Sequence, residues 1–329
     1  MTELKVGFIG AGAIANVHAS RISGLKNVKI VAFADIVESK ARSLAEKYGG
    51  RAYRRWEDML EKESLDAIYV CIPPYAHRDE VIVAAEKNVH VFIEKPIALD
   101  LELAEEMTRA VEKAGIVSQV GYVWRFTKGI QRAKEVIERG ELGRVGLFAA
   151  RYLGDMLWAL NTDSWWKDRT KSGGHVVEQA THMYDSLRYL LGEAVEVHAY
   201  ETRFVTVGRE DWTVEDAHVA ILRMKNNAIA AIYSTPCAPA WLQGWLIVGE
   251  KGFIELPGPH TIEINYRGRS MRIREEVDGY LEESIEFFNA IRGKGETRAP
   301  IREGYKTLKL TLAVRKSMES GGKKVTIGE

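Results

Sequence analysis

The sequence predicts an α/β protein: a doubly wound parallel sheet, then an α+β half with a large open, mostly antiparallel sheet. Three observations carry this. Strands and helices alternate over the first third of the chain. A glycine turn, Gly10-Ala11-Gly12-Ala13-Ile14-Ala15, stands between the first strand and the first helix. After about residue 194, strand-like segments follow one another with no helix between them. The expected domains are 1–122 and 123–329, with the last helix free to dock back on the first domain.

The first strand is Lys5 to Ile9, a buried apolar run. The turn after it reads G-x-G-x-x-A. Gly10 permits the tight bend, Gly12 lets the backbone approach a pyrophosphate, and Ala15 lets helix and strand pack closely. The helix then opens at Ala13 and Ile14, whose N–H groups are offered to phosphates. A second strand, VKIVAFAD, ends in Asp35, about 20 residues after the turn, where an acid receives a ribose 2′-hydroxyl. That carboxylate repels a 2′-phosphate and favours NAD, although Lys40 and Arg42 close behind leave NADP open. A structural alternative is that Asp35 caps the following helix. Further strands are LDAIYVCI, VHVFIE and IVSQVGY, separated by helices. Ligands of such sheets sit beyond the carboxyl ends of the strands. Pro73, His77, Glu94, Lys95 and Pro96 all fall at or just after such ends. His77 reads equally well as a cofactor contact and as a helix N-terminal cap.

The second half opens with a helix, GIQRAKEVIERGELG, and a strand, RVGLFAARYL. A tryptophan-rich loop holding Trp158, Trp165 and Trp166 follows, then Gly173-Gly174 and a helix, HVVEQATHMYDSLRYLL. Tryptophan faces stack on the C–H faces of sugars, but they also cover cores. On the helix, Glu178, His182 and Asp185 fall along one stripe beside an apolar face of Val176, Val177, Ala180, Met183, Tyr184 and Leu187. The remaining strands are separated by turn signals such as Lys225-Asn226-Asn227.

The order GAGAIA, Asp35, PPYAH, Glu94-Lys95-Pro96, then a Gly-Gly helix carrying an acid and a histidine four apart, resembles the Gfo/Idh/MocA oxidoreductases. The resemblance implies an N-terminal Rossmann domain and a C-terminal α+β domain whose open sheet forms a subunit interface, giving a homodimer or homotetramer. It implies hydride exchange between a nicotinamide and a hydroxyl or carbonyl carbon of a sugar, polyol or cyclitol. Lys95 then touches the nicotinamide ribose and the substrate oxygen, and a cis bond at Lys95-Pro96 aims its amine. His182 is the acid/base, Glu178 stands where the family more often has aspartate, and Asp185 matches the acid three residues on.

A carbinol that gives up hydride also gives up a proton, and histidine is the usual acceptor near neutral pH. Lys95 and His182 are therefore assigned the proton, with Glu178 orienting the imidazole. Tyr122, Arg125, Trp165 and Asp185 are assigned to the substrate. A Glu/His pair also suits a metal, but no third ligand has convincing spacing, so none is expected. Two rivals share these residues: a glycoside hydrolase that uses bound NAD transiently, and a non-catalytic nucleotide-binding regulator.

Bulk composition excludes other classes. With 329 residues, 46% hydrophobic and 28% charged, the chain is long enough for two cores. The 46 basic and 46 acidic side chains balance, so no nucleic-acid footprint exists. No stretch reaches the roughly 18 apolar residues of a membrane span. Cys71 and Cys237 lie far apart, which fits a reducing, cytoplasmic setting.

Overall fold

The structure is a computed structural model describing residues 3–159 and 164–328. The chain divides into two units, Met1–Val123 with Asp278–Tyr305, and Trp124–Val277 with Lys306–Glu329.

In the first unit, elements alternate: β1 (Leu4–Ile9), α1 (Ala13–Ile22), β2 (Val28–Ala34), α2 (Glu38–Tyr48), β3 (Arg51–Tyr53), α3 (Trp56–Lys62), β4 (Ala67–Val70), α4 (Glu80–Glu86), β5 (His90–Ile93), α5 (Leu101–Ala114) and β6 (Ser118–Val120). The strands order as β3-β2-β1-β4-β5-β6. Every pairing is parallel, so all carboxyl ends lie on one edge. Register places Phe33, Phe8, Tyr69, Phe92 and Gln119 side by side across five strands. The four rings stack with centroids 4.5–5.0 Å apart. Such stacking adds about 0.5–1.5 kcal/mol per pair beyond burial.

In the second unit come α6 (Lys128–Glu138), β7 (Val145–Asp155), the short α7 (Met156–Ala159), α8 (Arg169–Ser172), α9 (His175–Glu178) and α10 (Thr181–Leu191). The strands β8 (Ala194–Thr202), β9 (Ala217–Met224), β10 (Ile229–Thr235), β11 (Cys237–Gly249), β12 (Gly252–Gly258), β13 (Thr261–Tyr266) and β14 (Arg269–Arg274) follow. After α11 (Gly279–Ile291) and α12 (Ile301–Glu319), β15 (Val325–Thr326) closes a nine-stranded sheet ordered β14-β13-β12-β11-β7-β10-β9-β8-β15. Among the described residues of this sheet, only β7 and β10 pair in parallel. β9 shows why one face can stay open: His218, Ala220, Leu222 and Met224 are buried while Val219 and Ile221 between them are exposed.

One expectation changes. The sequence reading put all of 123–329 in the second domain, but 278–305 groups with the first unit. The reason is apolar: α11 brings Phe287 and Phe288, both buried, onto Tyr69 and Phe92. Asp278 caps α11 by accepting the Leu281 N–H at 3.2 Å. Among the described residues, no helix is long and apolar enough to cross a membrane.

Phe287→Ala should remove this packing and lower unfolding stability by about 3–5 kcal/mol. Urea denaturation compared with the parent protein is the check, and a change below about 1 kcal/mol contradicts it.

Candidate active site

The site in the first unit is built at the carboxyl edge of the parallel sheet. Gly10 has φ +91°, and a Cβ there would lie 2.3 Å from the Cys71 carbonyl oxygen, so the turn admits only glycine. Gly12 is different. Its backbone is extended, and a Cβ would meet nothing within 4 Å. It therefore leaves an open cradle directly before α1. Ala13 and Ile14 begin α1, whose first N–H groups have no carbonyl one turn back. Cradle and helix start together fit a dinucleotide's pyrophosphate.

Asp35 stands at the end of β2, half-buried. Its Oδ2 accepts the Ala11 N–H at 2.8 Å and its Oδ1 accepts the Val37 N–H at 2.8 Å. It thus binds the glycine loop rather than capping α2, whose N-cap position is Val37 with no side-chain cap. Each oxygen keeps a lone pair for a ribose hydroxyl. Of the two nearby bases, Arg42 is paired with Glu38 at 2.6 Å.

Glu94 and Lys95 follow β5, and Lys95-Pro96 is cis. Glu94 is buried. Its Oε1 lies 2.7 Å from His18 Nε2, and its Oε2 accepts the Lys95 backbone N–H at 3.1 Å. A Cβ on Gly121 would sit 2.9 Å from the same carboxylate. Glu94, assigned above to the cofactor, has both of these partners within the protein. Lys95 stays half-exposed beside it. His77, also assigned to the cofactor, is buried with Nδ1 2.6 Å from Glu80 at the start of α4. Pro73 begins the short 3-10 turn Pro74–Ala76, and Tyr122 is buried after β6.

In the second unit the helix read as continuous is two helices. The Ala180 N–H reaches back five residues to the His175 carbonyl at 2.8 Å, and the Met183 N–H reaches only three, to Ala180 at 2.8 Å. This wide turn followed by a tight one separates Glu178 from His182 and voids the single stripe. The Glu178 carboxylate accepts the indole N–H of Trp166. An aspartate, one methylene shorter, has less reach for that bond. His182 is half-buried, its ring 4.8 Å from that of Trp124. Trp124 in turn packs edge-on against Trp245 at 5.1 Å.

Gly173 and Gly174 have φ +83° and +94°. A Cβ on Gly174 would meet Glu215 at 2.7 Å. Glu215 is fully buried and accepts the Val176 N–H at 2.8 Å, with Arg169 3.1 Å away. Burial pushes its carboxyl above the usual range, against the pull of Arg169. The turn is thus seated on a buried acid that the sequence reading did not use.

Arg125 and Asp185, both assigned to the substrate, are buried and bonded to each other at 2.9 and 2.7 Å, and Thr307 adds 3.2 Å to Asp185. A charge this deep needs a matched partner, and each supplies the other. Trp165 is half-buried beside Trp166, Trp212 and Val214. The Trp158 side chain lies outside the described residues. Among the described residues, no group of three His, Cys, Asp or Glu is placed to hold a metal.

His18, Trp124 and Glu215 were missed by sequence reasoning. His18 carried a signal: it lies on the buried stripe of Ala15, Ala19 and Ile22, where a polar side chain needs a partner.

Behind α10, His218 is buried with Nε2 2.9 Å from the Tyr184 hydroxyl. Burial drops its pKa from 6.5 to about 3. Between those values the unfolded chain takes a proton that the native site refuses. Stability should therefore fall on acidification below about pH 6.5, by at most roughly 1.4 kcal/mol per pH unit. Urea midpoints at about pH 7 and pH 5 measure this, and His218→Gln should flatten the difference.

A family model described as an oxidoreductase family with an NAD-binding Rossmann fold matches residues 4–122, and a GFO/IDH/MocA C-terminal domain model matches residues 130–255. An oxidoreductase of Bacillus subtilis, YrbE, is 30% identical over 97% of this chain and 95% of its own. Myo-inositol 2-dehydrogenase of Thermotoga maritima is 27% identical over 96% of both chains. A levoglucosan dehydrogenase solved with NADH and L-sorbose superimposes with a TM-score of 0.90 over 100% of both chains at 22% identity, which speaks to the fold.

Proposed function

The chain belongs to the Gfo/Idh/MocA oxidoreductases, with an NAD-binding Rossmann domain, and from that premise we propose that it oxidises a secondary hydroxyl of a sugar, polyol or cyclitol, or reduces the matching carbonyl. The observation that carries this reading is Lys95, half-exposed at the carboxyl end of β5 and held by a buried Glu94. Bound NAD supplies the hydride acceptor. The Gly12 cradle and the start of α1 hold its phosphates, and Asp35 takes the ribose hydroxyl. The aspartate supports NAD over NADP, because a 2′-phosphate would meet its charge.

The protein's own task is the proton. We assign it to Lys95 and His182, each half-exposed in its own unit. Glu178 supports the histidine's surroundings through Trp166 rather than by reaching the substrate. Cyclitols and anhydro sugars are the substrate class to try first, since myo-inositol and levoglucosan name the activities of similar proteins. The cytoplasm, a reducing compartment, suits the two buried free thiols.

We also propose that the open face of the nine-stranded sheet joins copies of this chain into a homodimer or homotetramer. Tyr200, Val219, Ile221, Tyr233 and Leu242 give it an exposed apolar surface.

The first test is to mix NAD or NADP with myo-inositol, levoglucosan and methyl glucosides and follow reduced cofactor by absorbance. Turnover with NAD is expected. Glycoside cleavage without net NADH would move the assignment to a hydrolase. Lys95→Ala or His182→Ala should lose most turnover, at least about 100-fold, while NAD affinity stays within a few-fold. Wild-type rates in both variants would sink the proton assignment. Light scattering should give a multiple of the 37.0 kDa chain mass, and Ile221→Arg should dissociate it.

A further inference from the structure

The proposed proton assignment leaves one buried group near Lys95 unexplained. His18 lies wholly inside the first unit, walled by Phe92, Tyr69 and Tyr280 with ring centroids 4.8, 5.3 and 5.6 Å away. Those rings can fill space against an apolar side chain equally well. The polar end of His18 meets Glu94 at 2.7 Å. Its other nitrogen, Nδ1, is buried with no hydrogen-bond partner among the described residues. A hydrogen on Nδ1 would be a buried donor with no acceptor, whereas a bare Nδ1 costs less. The ring hydrogen therefore belongs on Nε2, donated to Glu94.

This donation has a consequence for Lys95. The Glu94 side chain folds back over its own peptide, and its second oxygen takes the Lys95 N–H at 3.1 Å. Gly121 closes the other side, where even a Cβ would crowd the carboxylate to 2.9 Å. Nearby, Glu283 is fully buried, burial and the charge of Glu94 push its carboxyl well above the usual range, and neither of its oxygens has a hydrogen-bond partner among the described residues. The direction of the Lys95 amide, and so the start of its side chain, depends on the rotamer of Glu94. That rotamer depends on His18.

We propose that His18 is a positioning residue for the reaction, acting through Glu94 on Lys95. This rests on the assignment of the proton to Lys95. A misplacement of about 1 Å in a reacting group costs roughly 100-fold in rate.

His18→Phe keeps the ring among its aromatic neighbours and removes the donor. With NAD and whichever of myo-inositol or levoglucosan is turned over, kcat should fall about 10- to 100-fold. NAD affinity by titration calorimetry should stay within about threefold. His18→Gln, which keeps an N–H near the Nε2 position, should recover kcat to within about threefold. In a Lys95→Ala background, His18→Phe should cost less than about twofold more, because the two residues act on one step. Ring-nitrogen NMR of the protein without cofactor should place the His18 hydrogen on Nε2. If the phenylalanine variant does not fold, His18→Asn, too short to reach the carboxylate, gives the same comparison. Wild-type kcat in His18→Phe, an undiminished loss in the Lys95→Ala background, or a hydrogen on Nδ1 each overturn the proposal. Wild-type turnover of Lys95→Ala alone overturns the proton assignment, and the positioning role with it.

Discussion

The carboxylate of Glu94 is the constraint on which the first unit's site depends. It is buried where water is scarce, so each oxygen must be answered from within the protein. His18 answers one and the Lys95 amide the other, and the space beside it is cleared by a glycine. These demands couple three places in the fold. α1 must present a histidine inward, β5 must end where that histidine reaches, and β6 must pass into a residue without a side chain. The register of the parallel sheet meets all three, because the aromatic row through Phe33, Phe8, Tyr69 and Phe92 holds the strands level.

The second unit repeats the device with another acid. Glu215 is buried beneath Gly174, accepts the Val176 N–H of α9, and is countered by Arg169. With the Gly173-Gly174 turn seated there, the backbone widens at Ala180 and tightens before α10. His182 begins α10 against Trp124, while Glu178 ends α9 on Trp166. Lys95 thus directly follows a buried, bonded carboxylate, and the helix pair that carries His182 starts from a turn seated on another. A buried charge that is already paired does not relax when a ligand arrives, so such a site is organised before binding.

Much of this was legible in the chain. The strand–glycine–helix turn, Asp35 at the end of the second strand and the Glu-Lys-Pro run are each a short signal that can be read from its own stretch of chain. The run of strands in the second half followed from alternation of apolar and polar residues, as in β9. The pairing of Arg125 with Asp185 was not legible, because 60 residues separate side chains that folding joins. Glu94 and His77 likewise met protein partners. The return of 278–305 to the first unit was hidden because the apolar face of α11 fits either core by pattern.

What the sequence determined by itself is the nucleotide-binding turn and the acid that follows it. These depend on backbone conformation, a missing Cβ and one nearby charge, all of short range. What only the tertiary structure decided is which donor each buried acid takes. His18 lies 76 residues from Glu94, and Trp166 lies 12 before Glu178 across the Gly173-Gly174 turn. A carboxylate out of water binds the donor that packing brings to it, and packing is a property of the whole fold rather than of spacing along the chain.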